Sequence, residues 1–288
     1  MGENGYRVSH KKRNYQRRRN SPMRKIAGVA VLALSTVALI AAILMLMGFR
    51  YYTEKVTTPE GIEVRLSYLG FVEDGEIKNG SLNSSLGSRA SIERRVSESG
   101  AAYYRIEYSD GTVYEGSIKG LCRDGHAKVT YSNGDTYEGD FYLDNIHGSG
   151  KYFYYSTQDT YEGSIVASKK QGIGKYTYFD GTVYEGGYSD DKPNGKGKLT
   201  FHDGSVYEGD FVMGVRVGEG RQIYANGDIY EGDFVGGKAE GNGVYTFACG
   251  DRYEGEFLSG QICGEGKYTW KSGREYIGIF KDGIAVIE

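Results

Sequence analysis

The sequence predicts an all-β repeat protein, an elongated single-layer sheet of tandem β-hairpins preceded by one N-terminal transmembrane α-helix. Three observations predict it. A Tyr-Glu-Gly triplet recurs at an almost constant interval, each interval alternates with a period of two, and an uncharged apolar run stands near the N-terminus.

The triplets are Tyr114-Glu115-Gly116, Tyr137-Glu138-Gly139, Tyr161-Glu162-Gly163, Tyr184-Glu185-Gly186, Tyr207-Glu208-Gly209, Tyr230-Glu231-Gly232 and Tyr253-Glu254-Gly255. A degenerate copy begins at Tyr276. Six of the seven intervals are 23 residues and one is 24, which places a single insertion in the turn around Ser156 to Asp159. The 45 glycines and 27 tyrosines are therefore locked to a period, so the composition signals an ordered array rather than a disordered chain.

In the unit 181–203, Tyr184, Gly186 and Tyr188 lie two apart, as do Gly197, Leu199 and Phe201. Each set lines one face of a short strand, giving two strands per repeat joined by a turn. Gly150, Tyr152 and Tyr154 repeat the second set, as do Gly243, Tyr245 and Phe247. One face is thus aromatic and glycine, the glycines leaving room for rings. The opposite face carries the glutamates and a basic row, Lys128, Lys151, Lys175, Lys198, Arg221 and Lys267. Paired across strands they form a charge ladder, each exposed pair contributing about 0.2–1 kcal/mol.

Tyr-Glu-Gly, an aromatic two residues on, then Gly-x-Gly and another aromatic at this spacing resemble the membrane occupation and recognition nexus (MORN) repeat. The resemblance covers residues 104 to 283 with seven full copies. Ala127 departs from it in place of the second glycine of the first copy, Val244 breaks the basic row, and Ile277 replaces the last glutamate. It implies stacked hairpins in one twisted layer. Fourteen strands spaced ~4.8 Å apart make a rod on the order of 65–70 Å long. An array needs ends: Tyr104, Ile106 and Tyr108 read as a half repeat opening the sheet, and Phe280, Ile284, Val286 and Ile287 as a C-terminal cap.

The N-terminal third divides into a basic tail (1–25), a membrane helix (26–49) and an irregular juxtamembrane region (50–103), ahead of the array (104–288). Residues 26–49 hold no charge, and 24 helical residues reach about 36 Å, enough to cross a bilayer. The run is longer than a signal-peptide apolar region and ends in Met-Leu-Met-Gly-Phe, without a cleavage site. Arg17, Arg18, Arg19, Arg24 and Lys25 dominate the preceding flank, which predicts a cytoplasmic N-terminus and extracytoplasmic repeats at a plasma membrane. In 50–103, Ile62, Val64 and Leu66 alternate as in a small strand pair or an irregular early repeat, while the serine-rich stretch 81–99 reads as a flexible stalk. Asn79 and Asn83 each begin an Asn-x-Ser sequon, which chance explains. Cys122, Cys249 and Cys263 leave one disulfide, Cys249 with Cys263, open without indicating it, and small buried residues are the plainer reading.

Catalytic chemistry finds no pattern. His10, His126, His147 and His202 occupy unrelated repeat positions, and no zinc-type ligand spacing, nucleophile elbow or phosphate loop occurs. The aligned glutamates stand roughly 9–10 Å apart, too far for a retaining carboxylate pair. Asp140, Asp210 and Asp233, two residues after Glu138, Glu208 and Glu231, read as part of a solvated ladder rather than a cation site. Where this repeat accompanies catalysis, the resemblance implies a separate domain such as a lipid kinase or methyltransferase, and no span here is free to house one.

The expected function is a non-catalytic, membrane-anchored scaffold or protein-interaction module that uses no cofactor or metal and binds no nucleic acid. Its partner is a protein or cell-envelope polymer, with self-association open. A lipid- or glycan-contacting module and a structural spacer are the alternatives. From residue 101 onward, 29 acidic residues face 19 basic ones, which opposes contact with anionic headgroups. The aromatic face discriminates: rings filled in by neighbouring repeats leave a spacer, and rings left in solvent mark a contact site.

Overall fold

Alternation with a period of two makes each strand present one face to the aromatic row and the other to water, and the short turns let every strand pair with the next. In the computed structural model, which describes residues 38–57, 61–84 and 87–286, the result is one antiparallel sheet of 21 strands. Consecutive strands pair throughout, from β1 (Phe49–Thr57), β2 (Glu63–Glu73), β3 (Glu76–Ser84), β4 (Arg89–Val96) and β5 (Ala102–Tyr108) to β20 (Glu275–Lys281) and β21 (Ile284–Ala285). The fourteen strands expected are thus joined by seven more, five of them N-terminal.

The register of one repeat explains the Gly-x-Gly spacing. Between β14 (Val206–Val212) and β15 (Val215–Ile223), Gly209 faces Gly220, and a β-bulge follows immediately. At the bulge Gly218 adopts φ 61°, left-handed backbone that glycine tolerates best. The two glycines of Gly-x-Gly therefore do different work: the first turns the strand and the second keeps its surface bare.

The transmembrane helix is corrected by this structure. Among the described residues no helix is long and apolar enough to cross a membrane. The helix described spans 38–46, and nine residues reach only about 14 Å. It ends in a turn at Gly48 (φ 91°), whose carbonyl accepts the Val72 N–H at 2.8 Å. Phe49, assigned to the helix on hydropathy, instead opens β1 opposite Phe71, their rings edge to face at 5.2 Å. Residues 26–37, and the basic flank Arg17, Arg18, Arg19, Arg24 and Lys25, lie outside the described residues.

The serine-rich stalk is corrected as well. Its residues run through β3 and β4, where Ile92 pairs with Ile106 and both are buried. Tyr68, two 23-residue periods before Tyr114, is fully buried, and its hydroxyl donates to the Phe71 and Asn79 carbonyls at 2.9 and 2.8 Å. Region 50–103 thus contains a divergent copy of the repeat core.

These added strands close the open end of the array. In later repeats an N–H of the first turn donates to the preceding repeat, as Asp144 does to Arg123 O (2.9 Å) and Gly214 to Pro193 O (2.8 Å). The equivalent Leu121 N–H meets the Glu54 carboxylate of β1 at 2.8 Å. Replacing Glu54 with Ala strands that donor, at an expected cost of about 1–3 kcal/mol. Hydrogen exchange should then quicken in β1 to β5 while β14 and β15 keep their protection.

At the other end Phe280 is buried against Tyr253 and Tyr276, with centroids 5.0 and 5.5 Å away. Ile284 and Val286 remain exposed, so Phe280 alone of these does the capping, and Ile287 lies outside the described residues. All three cysteines are free, with Cys122 buried and Cys249 exposed.

Candidate interaction surface

Three aromatic rows run along one face of the sheet. The inner row is the tyrosine of each triplet, with Tyr114, Tyr137, Tyr161, Tyr184, Tyr207, Tyr230 and Tyr253 all within 1 % of fully buried. From Tyr137 to Tyr253 each ring lies over a cross-strand glycine pair, while the pair beside Tyr114 is Gly116 with Ala127. A Cβ built on Gly186 or Gly197 would stand 2.6 Å from the Tyr184 hydroxyl oxygen. That hydroxyl donates to the Gly187 carbonyl at 2.8 Å, and the other six make the same bond three residues on, Tyr114 to Ser117 O among them. Aromatic neighbours close over the edges: Tyr207 meets Phe211 at 5.3 Å and Phe234 of the next repeat at 4.9 Å, both edge to face. Burial pushes Tyr161, Tyr184, Tyr230 and Tyr253 up to about 12.

The triplet glutamates occupy the opposite face, half exposed. Glu115, Glu185, Glu208 and Glu231 pair with Arg105, Lys175, Lys198 and Arg221 of the preceding strand at 2.8–3.1 Å. Glu254 pairs within its own strand, with Arg252. Asp210 and Asp140 bond Lys196 at 2.8 Å and His126 at 3.2 Å. Among the described residues no cluster of acidic, histidine or cysteine side chains has the geometry to hold a metal.

The middle row carries a connection across each hairpin that strand alternation does not reveal. Two residues before the inner tyrosine stands Asp135, Asp159, Asp228 or Asp251, and each bridges forward. Asp159 accepts the Tyr176 hydroxyl (2.8 Å) through one oxygen and the Phe179 N–H (2.9 Å) through the other. The same pair of bonds links Asp135 to Tyr152 and Tyr155, Asp228 to Tyr245 and Ala248, and Asp251 to Tyr268 and Lys271. The Tyr268 hydroxyl and the Lys271 N–H hold the Asp251 carboxyl below its usual range. The signal is present in the chain: where Thr112, Thr182 or Ser205 stands in place of the aspartate, the residue 17 later is Val129, Leu199 or Gln222, never tyrosine.

Removing the bridge at Asp159 by substitution with Ala should cost about 1–3 kcal/mol, because two donors lose their acceptor. Denaturant unfolding checks it. In the Tyr176→Phe background the loss should shrink by the share of the hydroxyl.

The outer row holds one aromatic per repeat: Tyr131, Tyr154, Tyr178, Phe201, Tyr224, Phe247 and Trp270. None is buried, and Tyr178 and Tyr224 are 41 % and 36 % exposed. With the middle row they form two ring ladders. One steps Tyr131, Tyr152, Tyr154, Tyr176, Tyr178 with centroids 4.4–6.0 Å apart. The other steps Tyr224, Tyr245, Phe247, Tyr268, Trp270 at 4.7–5.8 Å. Phe179, at 76 % exposure, flanks the first. The aromatic face is therefore both filled and open: the inner row packs internally, and the outer row meets solvent.

Six consecutive segments match the family model for the MORN repeat, residues 137–156, 161–183, 184–206, 207–229, 230–252 and 253–273. Each of the six is similar to a MORN repeat. No curated protein matches the chain at a significant level. The first copy, at Tyr114, lies ahead of the matched MORN segments and carries Ala127 where the others have glycine. It still buries its tyrosine as the matched copies do. In a repeat array, the surface open to contact is the part that neighbouring repeats do not use on one another.

Proposed function

We propose that the chain is a non-catalytic interaction scaffold that receives a partner protein along the outer aromatic row. The observation that carries this reading is the division of the aromatic face. Inner tyrosines are spent on the sheet, whereas half-open outer rings join the middle row in two ladders that offer apolar surface to an extended or helical segment. Tyrosine and tryptophan suit such contacts because they bring large area with few rotatable bonds. The acidic excess of the array disfavours an anionic lipid surface as the partner.

Photo-crosslinking from opposite faces of the full chain tests it. A crosslinker at Phe179, Tyr224 or Trp270 is expected to capture a discrete protein, and one at Ile173 or Glu219 on the charged face is not. Substituting Tyr178 and Tyr224 by Ser should abolish the adduct formed from Trp270. Adducts confined to the charged face would overturn the proposal.

A further inference from the structure

Beside the inner row, one residue near the start of each second strand sits where a cation or an apolar side chain alternates. Arg123, Lys170 and Arg216 take this position, with Ile146, Pro193, Ala239 and Ile262 between and after them. The three cations lie over aromatic rings but differ in how their charge is met. Arg123 pairs with the Asp144 carboxylate of the next turn at 3.2 Å. Lys170 stands over Tyr154, Tyr161 and Tyr176, where burial lowers its proton affinity and the charges of Asp191 and Asp159 offset part of that effect.

Arg216 has neither. The turn residue that would supply its carboxylate is Gly237, and the guanidinium bonds that residue's carbonyl oxygen instead. Its other hydrogen bond goes to the neutral Gln222 amide oxygen at 2.8 Å. Phe201, Tyr207 and Phe234 surround it at 5.2–6.0 Å, and among the described residues no carboxylate pairs with it. Desolvation lowers its proton affinity, opposed only by the phenols of Tyr207 and Tyr224 and by no carboxylate. A half-buried cation satisfied only by neutral acceptors has unused capacity for an anion.

The surroundings of Arg216 break the aromatic pattern at the same place. The two ring ladders stop on either side of it, and the repeats between them carry Leu199 and Gln222 in the middle row. Thr182 and Ser205 stand there where other repeats have the bridging aspartate. The interruption thus lacks the row's usual acids and is centred on one guanidinium with no carboxylate partner.

We infer that Arg216 is the anion-receiving point of the interaction surface, taking an Asp or Glu carboxylate of a partner segment whose flanking apolar residues lie on the two ladders. Charge complementarity selects this occupant: the face offers one positive point between two aromatic strips. An acidic residue flanked on both sides by Leu, Phe or similar side chains matches that order. The inference rests on the outer row being the contact surface, and its test separates the two.

The probes are the blocked pentapeptide Phe-Leu-Glu-Leu-Phe and its counterpart with Gln at the centre, titrated into the full chain. Nuclear magnetic resonance follows the Arg216 Nε–H and the Trp270 indole N–H. The glutamate peptide is expected to move both signals and to bind about tenfold more tightly than the glutamine peptide, the worth of one charge-assisted bond. Arg216→Gln should erase that preference, Arg216→Lys should retain part of it, and Lys170→Gln should leave it intact. Equal binding of both peptides with a still Arg216 signal overturns the role of Arg216 and leaves the aromatic surface standing. If neither peptide moves any outer-row signal, the contact surface itself is wrong. The wild-type titration reads Arg216 directly, so its role is decided even if the Gln variant fails to fold.

Discussion

Replacing Tyr184 with Ala should destabilise the array by about 3–5 kcal/mol, the range for emptying a large buried aromatic site. The ring is 1 % exposed, packs edge to face on Tyr188 and Phe211 at 5.3 and 5.0 Å, and forms the cover of Gly186 and Gly197. The same geometry sets up a coupling. Gly197→Ala alone should destabilise, because its methyl would meet the Tyr184 ring at 2.6–2.8 Å on a side chain held by its own hydrogen bond. In the Tyr184→Ala background the collision is gone, and alanine is the better strand former, so the cost of Gly197→Ala should vanish or reverse. Denaturant unfolding of the four proteins reads the coupling. Equal cost of Gly197→Ala in both backgrounds would show that ring and glycine do not share one site.

Raising the pH should unfold the sheet in the range where its inner tyrosines are forced to ionise. Burial lifts Tyr161, Tyr184, Tyr230 and Tyr253 to about 12 in the folded chain, against about 10 for an unfolded tyrosine. The native state therefore holds protons that the unfolded state releases, so this contribution is complete below pH 10 and is lost as pH climbs toward 12. Tyr114 and Tyr137, in the same row, are raised further, first by burial. Phenolate absorbance and the far-ultraviolet signal of the sheet should then change together in one cooperative step. Complete ionisation with the sheet signal intact would contradict the burial of the row.

What is readable from sequence is what the repeat enforces on every copy. Tyr184, Gly186 and Gly197 recur in register because each depends on the others sterically, and that dependence is written as a period. The second tyrosine row is visible as alternation, but its link to the aspartates shows only as a matched pair of residue types 17 apart, on the two strands of one hairpin, which a period of two does not reveal. Divergence hides the N-terminal strands. Tyr68 and Gly70 keep the phase of the array, Ser91 stands where the intervening tyrosine would fall, and serine content masks the Ile92–Ile106 pair. Hydropathy also misleads at Phe49, whose apolar ring serves a cross-strand contact with Phe71 rather than a helix. Arg216 looks ordinary in the sequence because its lack of a carboxylate depends on Gly237, a turn residue of the following repeat.

Tyrosine footprinting of the folded full-length chain tests the central claim, that one row of rings builds the sheet and another is left for a partner. Nitration followed by peptide mass analysis should label Tyr178 and Tyr224 while Tyr137, Tyr161, Tyr184, Tyr207, Tyr230 and Tyr253 stay unmodified until denaturant is added. Labelling of both rows at the same rate would contradict the division on which the proposed interaction surface stands.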